Sequence, residues 1–306
     1  MSILVAILGR DNAKLVAQLQ AGLPNISIQE WPNCKYLDEV EFVLAWKAPD
    51  AMWAQLPNLK AVSSFGAGVD SIDLNLIPEH VDVVRIVDHK LSEDMAEYVL
   101  CHVLAQKLRL KEYLTKQEQQ YWKPKRAYSY KNIGILGYGE LGKACAKTLV
   151  KNNFNVSAWS YSKKISDDVS LFNGEQGLSA MLEKTDYLIC LLPLTKATQG
   201  IINKQLLDKL PDHGVVINVG RGQHVIEKDL LNALNTNSLR AATLDVFEQE
   251  PLPEDHPYWS HPKITLTPHC ASLSDLKSVS KQIIDNVERL KQGLELNNKI
   301  DRAKGY

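Results

Sequence analysis

The sequence predicts an α/β protein built from two doubly wound parallel-sheet domains, one inserted in the other. Three observations carry that reading: a length of 306 residues, short aliphatic runs that alternate with helical patterns, and a second strand series that opens on a glycine-rich turn mid-chain. A chain this long exceeds the size at which one core usually keeps growing, so it divides. Alternating strands and helices stack as a parallel sheet with helices on its faces.

The apolar start Ile3 to Leu8 has no basic segment before it and is too short for the apolar region of a signal peptide, so it reads as a first strand. Phe42 to Trp46, Leu59 to Phe65 and Val83 to Val87 are the next strand candidates. The third is followed by Gly66-Ala67-Gly68, a backbone-lined turn suited to face a ligand. From about Ser92 to Trp122 the pattern predicts one long helix linking the domains, with Met95, Val99, His102 or Val103, Leu110 and Leu114 at helical spacing. The second strand series runs Asn132 to Leu136, Val156 to Trp159, Tyr187 to Leu192, Val215 to Val219, Ala241 to Val246 and Ile264 to Thr267. Most of these are apolar on both faces, as a sheet covered on both sides requires. A last helix, about Ser274 to Gly293, follows Ser272-x-x-Asp275, a capping signal, and is expected to pack back on the first domain. The expected domains are residues 1–100 with 271–306, and residues 101–270.

Apolar residues make up 45% and charged residues 23%, with a formal net charge of -1. Without a dense basic block there is no electrostatic footprint for nucleic acid or an anionic membrane surface. No stretch approaches a membrane span. The five cysteines, Cys34, Cys101, Cys145, Cys190 and Cys270, form no cluster of zinc spacing and read as reduced thiols of a cytoplasmic protein. No metal is expected.

Gly137-Tyr138-Gly139-Glu140-Leu141-Gly142 follows a strand and opens a helical run to Val150. The first glycine permits a tight turn, the second lets backbone approach a pyrophosphate, and the third lets helix pack on strand. The helix N-terminus then offers N–H groups and partial positive charge to the anion. In this context the motif predicts a Rossmann dinucleotide-binding domain, inserted in a flavodoxin-like substrate domain. An NAD-selective site would carry an acid for the ribose 2′-hydroxyl after Trp159. Here stand Ser160-Tyr161-Ser162-Lys163-Lys164, two lysines and two serines suited to a 2′-phosphate, so NADP(H) is the expected cofactor, with NAD(H) a second possibility. Lys163 and Lys164 as a solvated turn is the plainer alternative.

Three polar positions lie at or beyond the carboxyl ends of later strands, where open α/β sheets hold ligands. They are Arg221 in Asn218-Val219-Gly220-Arg221-Gly222, Glu250 in Asp245-Val246-Phe247-Glu248-Gln249-Glu250-Pro251, and His269 in Thr267-Pro268-His269. Arginine can bind a planar carboxylate bidentately and polarise the adjacent carbonyl. A protonated histidine can complete the alcohol, and a carboxylate beside it would orient the ring and favour its charged form. Together they suit hydride transfer to a 2-keto acid.

Gly137 to Gly142, Val219-Gly220-Arg221-Gly222, Leu244-Asp245-Val246-Phe247 with Glu250-Pro251, and Thr267-Pro268-His269 resemble, as a set spanning nearly the whole chain, the D-2-hydroxyacid dehydrogenase family. Phe65-Gly66-Ala67-Gly68-Val69-Asp70 and the ending Asp301-Arg302-Ala303-Lys304-Gly305-Tyr306 add to the likeness. The resemblance implies NADPH-dependent reduction of small 2-keto acids such as glyoxylate and hydroxypyruvate. It makes Arg221 the substrate-binding and polarising group, His269 the acid/base and Glu250 its partner. It also implies that backbone at Ala67, Gly68 and Val69 holds the substrate carboxylate in a cleft between domains. Asp245 would then lie near the nicotinamide amide, with Leu192, Pro193, Val219 and Gly220 as further cofactor contacts. Trp46 and Trp259 would wall a small pocket, or serve as core aromatics, the latter being the stronger reading for Trp259. Tyr161 stands where close members carry arginine, which weakens the 2′-phosphate contact unless Lys163 and Lys164 compensate. The resemblance implies a homodimer with the Ser92 to Trp122 helix contributing to its interface, although the apolar stripe of that helix could equally be satisfied within one chain. Two alternatives stay open: a dehydrogenase for another 2-hydroxy acid, and a dinucleotide-sensing, corepressor-like binding protein.

Overall fold

The computed structural model describes residues 1–305. Two compact units divide the chain, Met1–Leu91 with Ser274–Tyr306, and Ser92–Leu273.

The first unit runs β1 (Ser2–Ile7), α1 (Ala13–Gly22), β2 (Ser27–Glu30), β3 (Val40–Trp46), α2 (Asp50–Trp53), β4 (Ala61–Ser64) and β5 (Asp82–Val84). All pairings are parallel and the order is β2-β1-β3-β4-β5, the flavodoxin-like order. Alternate residues of β1 feed opposite faces: Ile3, Val5 and Ile7 pack with Leu15, Leu19 and Val279, while Leu4 and Ala6 pack with Met52, Trp53 and Val62. Both faces are therefore dry, which is why this strand reads as an unbroken apolar run.

The second unit comprises α3 (His89–Lys107, whose first residues precede it), α4 (Leu110–Glu118), β6 (Asn132–Leu136), α5 (Glu140–Lys151), β7 (Asn155–Trp159), β8 (Ser170–Phe172), α6 (Gly174–Leu182), β9 (Tyr187–Cys190), α7 (Lys204–Leu207), β10 (Val215–Asn218), α8 (Glu227–Asn235), β11 (Ala241–Leu244) and β12 (Ile264–Leu266). Its seven-stranded parallel sheet has the order β12-β11-β10-β9-β6-β7-β8, so the winding reverses at β6. That reversal leaves a crevice at the carboxyl end of β6, where open sheets bind ligands.

After β12 the chain returns to the first unit as α9 (Leu276–Lys291). Val279, Ile283 and Val287 join the first unit's core, and Ser280 Oγ donates to Gln18 of α1 at 2.7 Å. Asp275 itself caps α9, accepting Ser278 N–H at 2.9 Å, so the capping residue is three positions later than the Ser272 signal suggests. The segment that follows pairs with β5 through Ile300 N–H to Val83 O at 3.0 Å. Tyr306 lies outside the described residues.

Three expectations need correction. The long helix is two helices: Arg109 adopts a left-handed φ of 64° and breaks it after Lys107. Its guanidinium lies 3.6 Å over the Tyr128 ring and donates to Glu112 at 2.7 Å, so the break is fastened by its own side chain. Leu110 and Leu114, expected on a continuous core stripe, are therefore about half exposed, at 49% and 52%. The domain boundary at residue 100 falls inside continuous α3 and sits at Leu91/Ser92, with the return at Leu273/Ser274. Finally, Trp259 is 56% exposed and donates Nε1–H to Pro253 O, so it is not a core aromatic.

Candidate active site

The glycine loop has the geometry its chemistry needs. Gly137 takes a φ of 102°, and a Cβ there would lie 2.8 Å from Leu191 O. A Cβ on Gly142 would lie 2.1 Å from Gly137 O, so only glycine lets α5 start so close to β6. A Cβ on Gly139 would meet nothing within 4 Å. That open space, at the N-terminus of α5, fits a pyrophosphate. Tyr138 and Gly139 N–H groups find no acceptor among the described residues. Glu140 pairs with Lys143 at 3.0 Å on the exposed side, and Leu141 packs on the core, so both would meet a cofactor through backbone.

The loop after β7 folds over this turn. Lys164 Nζ donates to Tyr138 O at 2.6 Å, and Tyr138 Oη bonds Ser166 at 3.1 Å. Burial, then the neighbouring Lys143, lowers the Lys164 ammonium below its ordinary range. Lys163 and Ser162 are exposed, while Ser160 is buried with its hydroxyl donated to Ser162 O at 2.7 Å. Tyr161 does not mimic arginine: its hydroxyl donates to Ala197 O at 2.8 Å, and its ring stands edge-on to Trp159.

The catalytic candidates come from the loops after three adjacent strands, β10, β11 and β12. Gly222 sits so tightly that a Cβ would lie 1.8 Å from Phe247 C, so the Arg221 turn rests on the backbone of the Glu250 turn. Glu250 Oε1 accepts Phe247 N–H at 3.1 Å, and Oε2 lies 2.8 Å from His269 Nδ1. Glu250 thereby holds the ring by Nδ1 and leaves Nε2 for a substrate.

Sequence reasoning missed the groups that hold these side chains. His224, fully buried, accepts Arg221 N–H on Nδ1 at 3.0 Å and reaches Pro193 O with Nε2 at 3.3 Å, tying the Arg221 turn to the Leu192–Pro193 turn. Thr198 also donates to Pro193 O, at 2.7 Å. Asn218 fixes the same turn, donating to Arg221 O at 2.8 Å. Val219 and Gly220 complete it, with Val219 N–H bonded to Cys190 O at 3.3 Å. His269 has a left-handed φ of 51°, a conformation that costs a non-glycine residue about 1–3 kcal/mol. Asp245 offsets that strain: its carboxylate accepts Cys270 N–H, Ala271 N–H and Thr267 Oγ1–H at 2.9, 2.9 and 2.6 Å. Its backbone carbonyl takes His269 N–H at 2.7 Å. The Asn218 and His224 bonds to Arg221 span only three residues, whereas the Pro193 and Asp245 bonds join segments far apart in sequence, which no local pattern marks.

In the first unit, the glycine turn after β4 is shaped by Ser64, whose hydroxyl donates to Gly68 O at 2.6 Å and accepts Gly66 N–H at 3.2 Å. Trp46 packs against Gly66, where a Cβ would lie 3.0 Å from its ring. Ala67, Gly68 and Val69 N–H groups donate to no acceptor among the described residues.

Residues 100–271 match the family model of the D-isomer specific 2-hydroxyacid dehydrogenase NAD binding domain. The chain belongs to the D-isomer specific 2-hydroxyacid dehydrogenases. It is 38% identical over 296 residues, 94% of each chain, to glyoxylate/hydroxypyruvate reductase A of Yersinia enterocolitica. Among solved structures, a D-isomer specific 2-hydroxyacid dehydrogenase from Xanthobacter autotrophicus Py2 in complex with NADPH is 33% identical, with a TM-score of 0.93 covering 100% of this chain and 99% of that one. An NADPH-dependent glyoxylate/hydroxypyruvate reductase from Sinorhizobium meliloti, in complex with NADP and sulfate, is 32% identical with a TM-score of 0.91 over 100% of both chains. Among the described residues, no helix is long and apolar enough to cross a membrane.

Proposed function

We propose that this protein is an NADPH-dependent reductase of small 2-keto acids, converting glyoxylate to glycolate and hydroxypyruvate to D-glycerate. The observation that carries the chemistry is the Glu250–His269 pair at 2.8 Å beside the Arg221 turn. Full-length likeness to reductases named for these substrates, and to structures holding NADPH or NADP, supports substrate class and cofactor. The nicotinamide supplies a hydride when bound. Arg221 binds the substrate carboxylate and polarises the keto carbonyl, and His269 Nε2–H gives its proton to the keto oxygen as the carbon is reduced. Glu250 keeps the ring oriented and stabilises its cation. The free N–H groups of Ala67, Gly68 and Val69 serve the substrate carboxylate, and Lys163 and Lys164 the phosphate end of the dinucleotide. Asp245 acts through the turn it clamps, with both carboxylate oxygens committed to Thr267, Cys270 and Ala271.

A steady-state panel of 2-keto acids with NADPH and NADH tests this reading. Glyoxylate and hydroxypyruvate should be preferred, with NADPH ahead of NADH; tight NADPH binding without turnover on any keto acid would favour the dinucleotide-sensing alternative. His269→Ala should lower kcat by about 10²–10⁴-fold, the usual worth of a positioned acid. Arg221→Ala should damage both kcat and KM.

We also infer that the protein pairs with a second copy through α4 and the stretch after it, where Leu110, Leu114, Tyr121 and Trp122 are exposed. Five free cysteines, Cys145 and Cys190 among them buried, fit a reducing cytoplasm.

A further inference from the structure

A residue far from the Glu250–His269 pair in sequence is wired to it. Tyr98, on α3, places its phenol oxygen 2.5 Å from Thr267 Oγ1. Thr267 has one hydroxyl proton, and that proton goes to Asp245 Oδ1 at 2.6 Å. Tyr98 must therefore be the donor, which orders the chain from Tyr98 O–H to Thr267 O–H to the Asp245 carboxylate. Asp245 ends the chain by accepting the N–H groups of Cys270 and Ala271, the two residues after His269. Burial raises the phenol well above its ordinary range, so it stays a donor at any working pH.

The structure assigns Tyr98 and Thr267 as positioning residues for His269. They fix the rotamer of Asp245, Asp245 clamps the turn that follows His269, and the clamped turn keeps His269 in the left-handed conformation that presents its ring to Glu250. This assignment rests on the reading of His269 as the acid/base. Neither hydroxyl touches the ring, so loss of either should leave folding and NADPH binding intact while the proton donor drifts. Misplacement of a catalytic group is read in kcat, not in KM.

The test uses the full-length protein and glyoxylate with NADPH, comparing Tyr98→Phe, Thr267→Val, Thr267→Ser, the Phe/Val double variant and His269→Ala. Tyr98→Phe and Thr267→Val should each lower kcat about tenfold, the rate equivalent of one buried hydrogen bond, with NADPH Kd unchanged. Thr267→Ser, which keeps the hydroxyl, should recover wild-type kcat. The double variant should fall no further than Thr267→Val, because both changes cut one chain. If His269→Ala is inactive while both single variants stay within about twofold of wild-type kcat, the positioning role is overturned and the acid/base assignment stands. If the single variants lower only the melting temperature, the chain is merely structural and the assignment fails. If His269→Ala turns over normally, the reading of His269 fails and takes this inference with it.

Discussion

At the scale of single residues, the glycines separate two demands that the motif merges. Gly142 is glycine because backbone lies where its Cβ would go, whereas Gly139 faces open space. Gly142→Ala should therefore destabilise the fold by about 1–3 kcal/mol in thermal unfolding, as overpacking does. Gly139→Ala should stay within about 0.5 kcal/mol of wild type yet weaken NADPH binding in a fluorescence titration, because its cost appears only when the pyrophosphate arrives. Lys164 has a similarly specific signature. Since burial lowers its ammonium, the charge is lost at lower pH than for an exposed lysine. The ratio of kcat/KM for NADPH over NADH should fall earlier on the alkaline side than in Lys164→Arg, which stays charged. The absent acid after Trp159 was legible in the sequence. The commitment of the Ser160 hydroxyl to Ser162 O, and of Tyr161 to Ala197 O, was not, because nothing in the local sequence names a carbonyl supplied by a neighbouring loop.

At the scale of elements, central strands were readable, as were the edge strands β5 and β12, whereas the edges β2 and β8 were not. β6, β9, β10 and β11 are nearly all buried, so each shows as an apolar run. β2 and β8 are edge strands with the sequences Ser-Ile-Gln-Glu and Ser-Leu-Phe; half-exposed and short, they lack the pattern that would announce them. The α3–α4 break shows the complementary failure. Helical spacing continues through Arg109, but the Arg109 and Arg240 guanidiniums both pack on the Tyr128 ring, 3.6 and 4.2 Å from its centre. Lys107 adds bonds to Tyr128 O and Tyr130 O at 2.7 and 2.9 Å. Periodicity cannot report a partner nineteen residues downstream. Arg109→Ala should remove the stack and the Glu112 contact, costing about 1–3 kcal/mol by chemical denaturation. Arg109→Gly would ease the left-handed backbone but lose the same contacts, so it should be destabilised less than the alanine variant.

At the scale of the whole molecule, the two units are each complete sheets covered on both faces, and the chain leaves and re-enters the first unit around the second. The second-copy proposal belongs here. Trp122 is 96% exposed and Leu110 and Leu114 about half exposed, apolar surface that pairing with a second copy would cover. Trp122→Asp with Leu114→Asp should convert a dimer to monomers in sedimentation velocity; a wild-type protein that is already monomeric would sink the proposal. The sequence by itself determined the two parallel sheets and the dinucleotide loop, and it named Arg221, Glu250 and His269 as candidates, because these are written in local periodicity and in motifs a few residues long. The tertiary structure decided how those side chains are held: the break at Arg109, the His224 tie between the Arg221 and Pro193 turns, and the Tyr98–Thr267–Asp245 chain behind His269. Those are hydrogen bonds and ring contacts between helix and loop residues distant in sequence within the second unit, and their geometry exists only once its sheet has set the ends of its strands side by side.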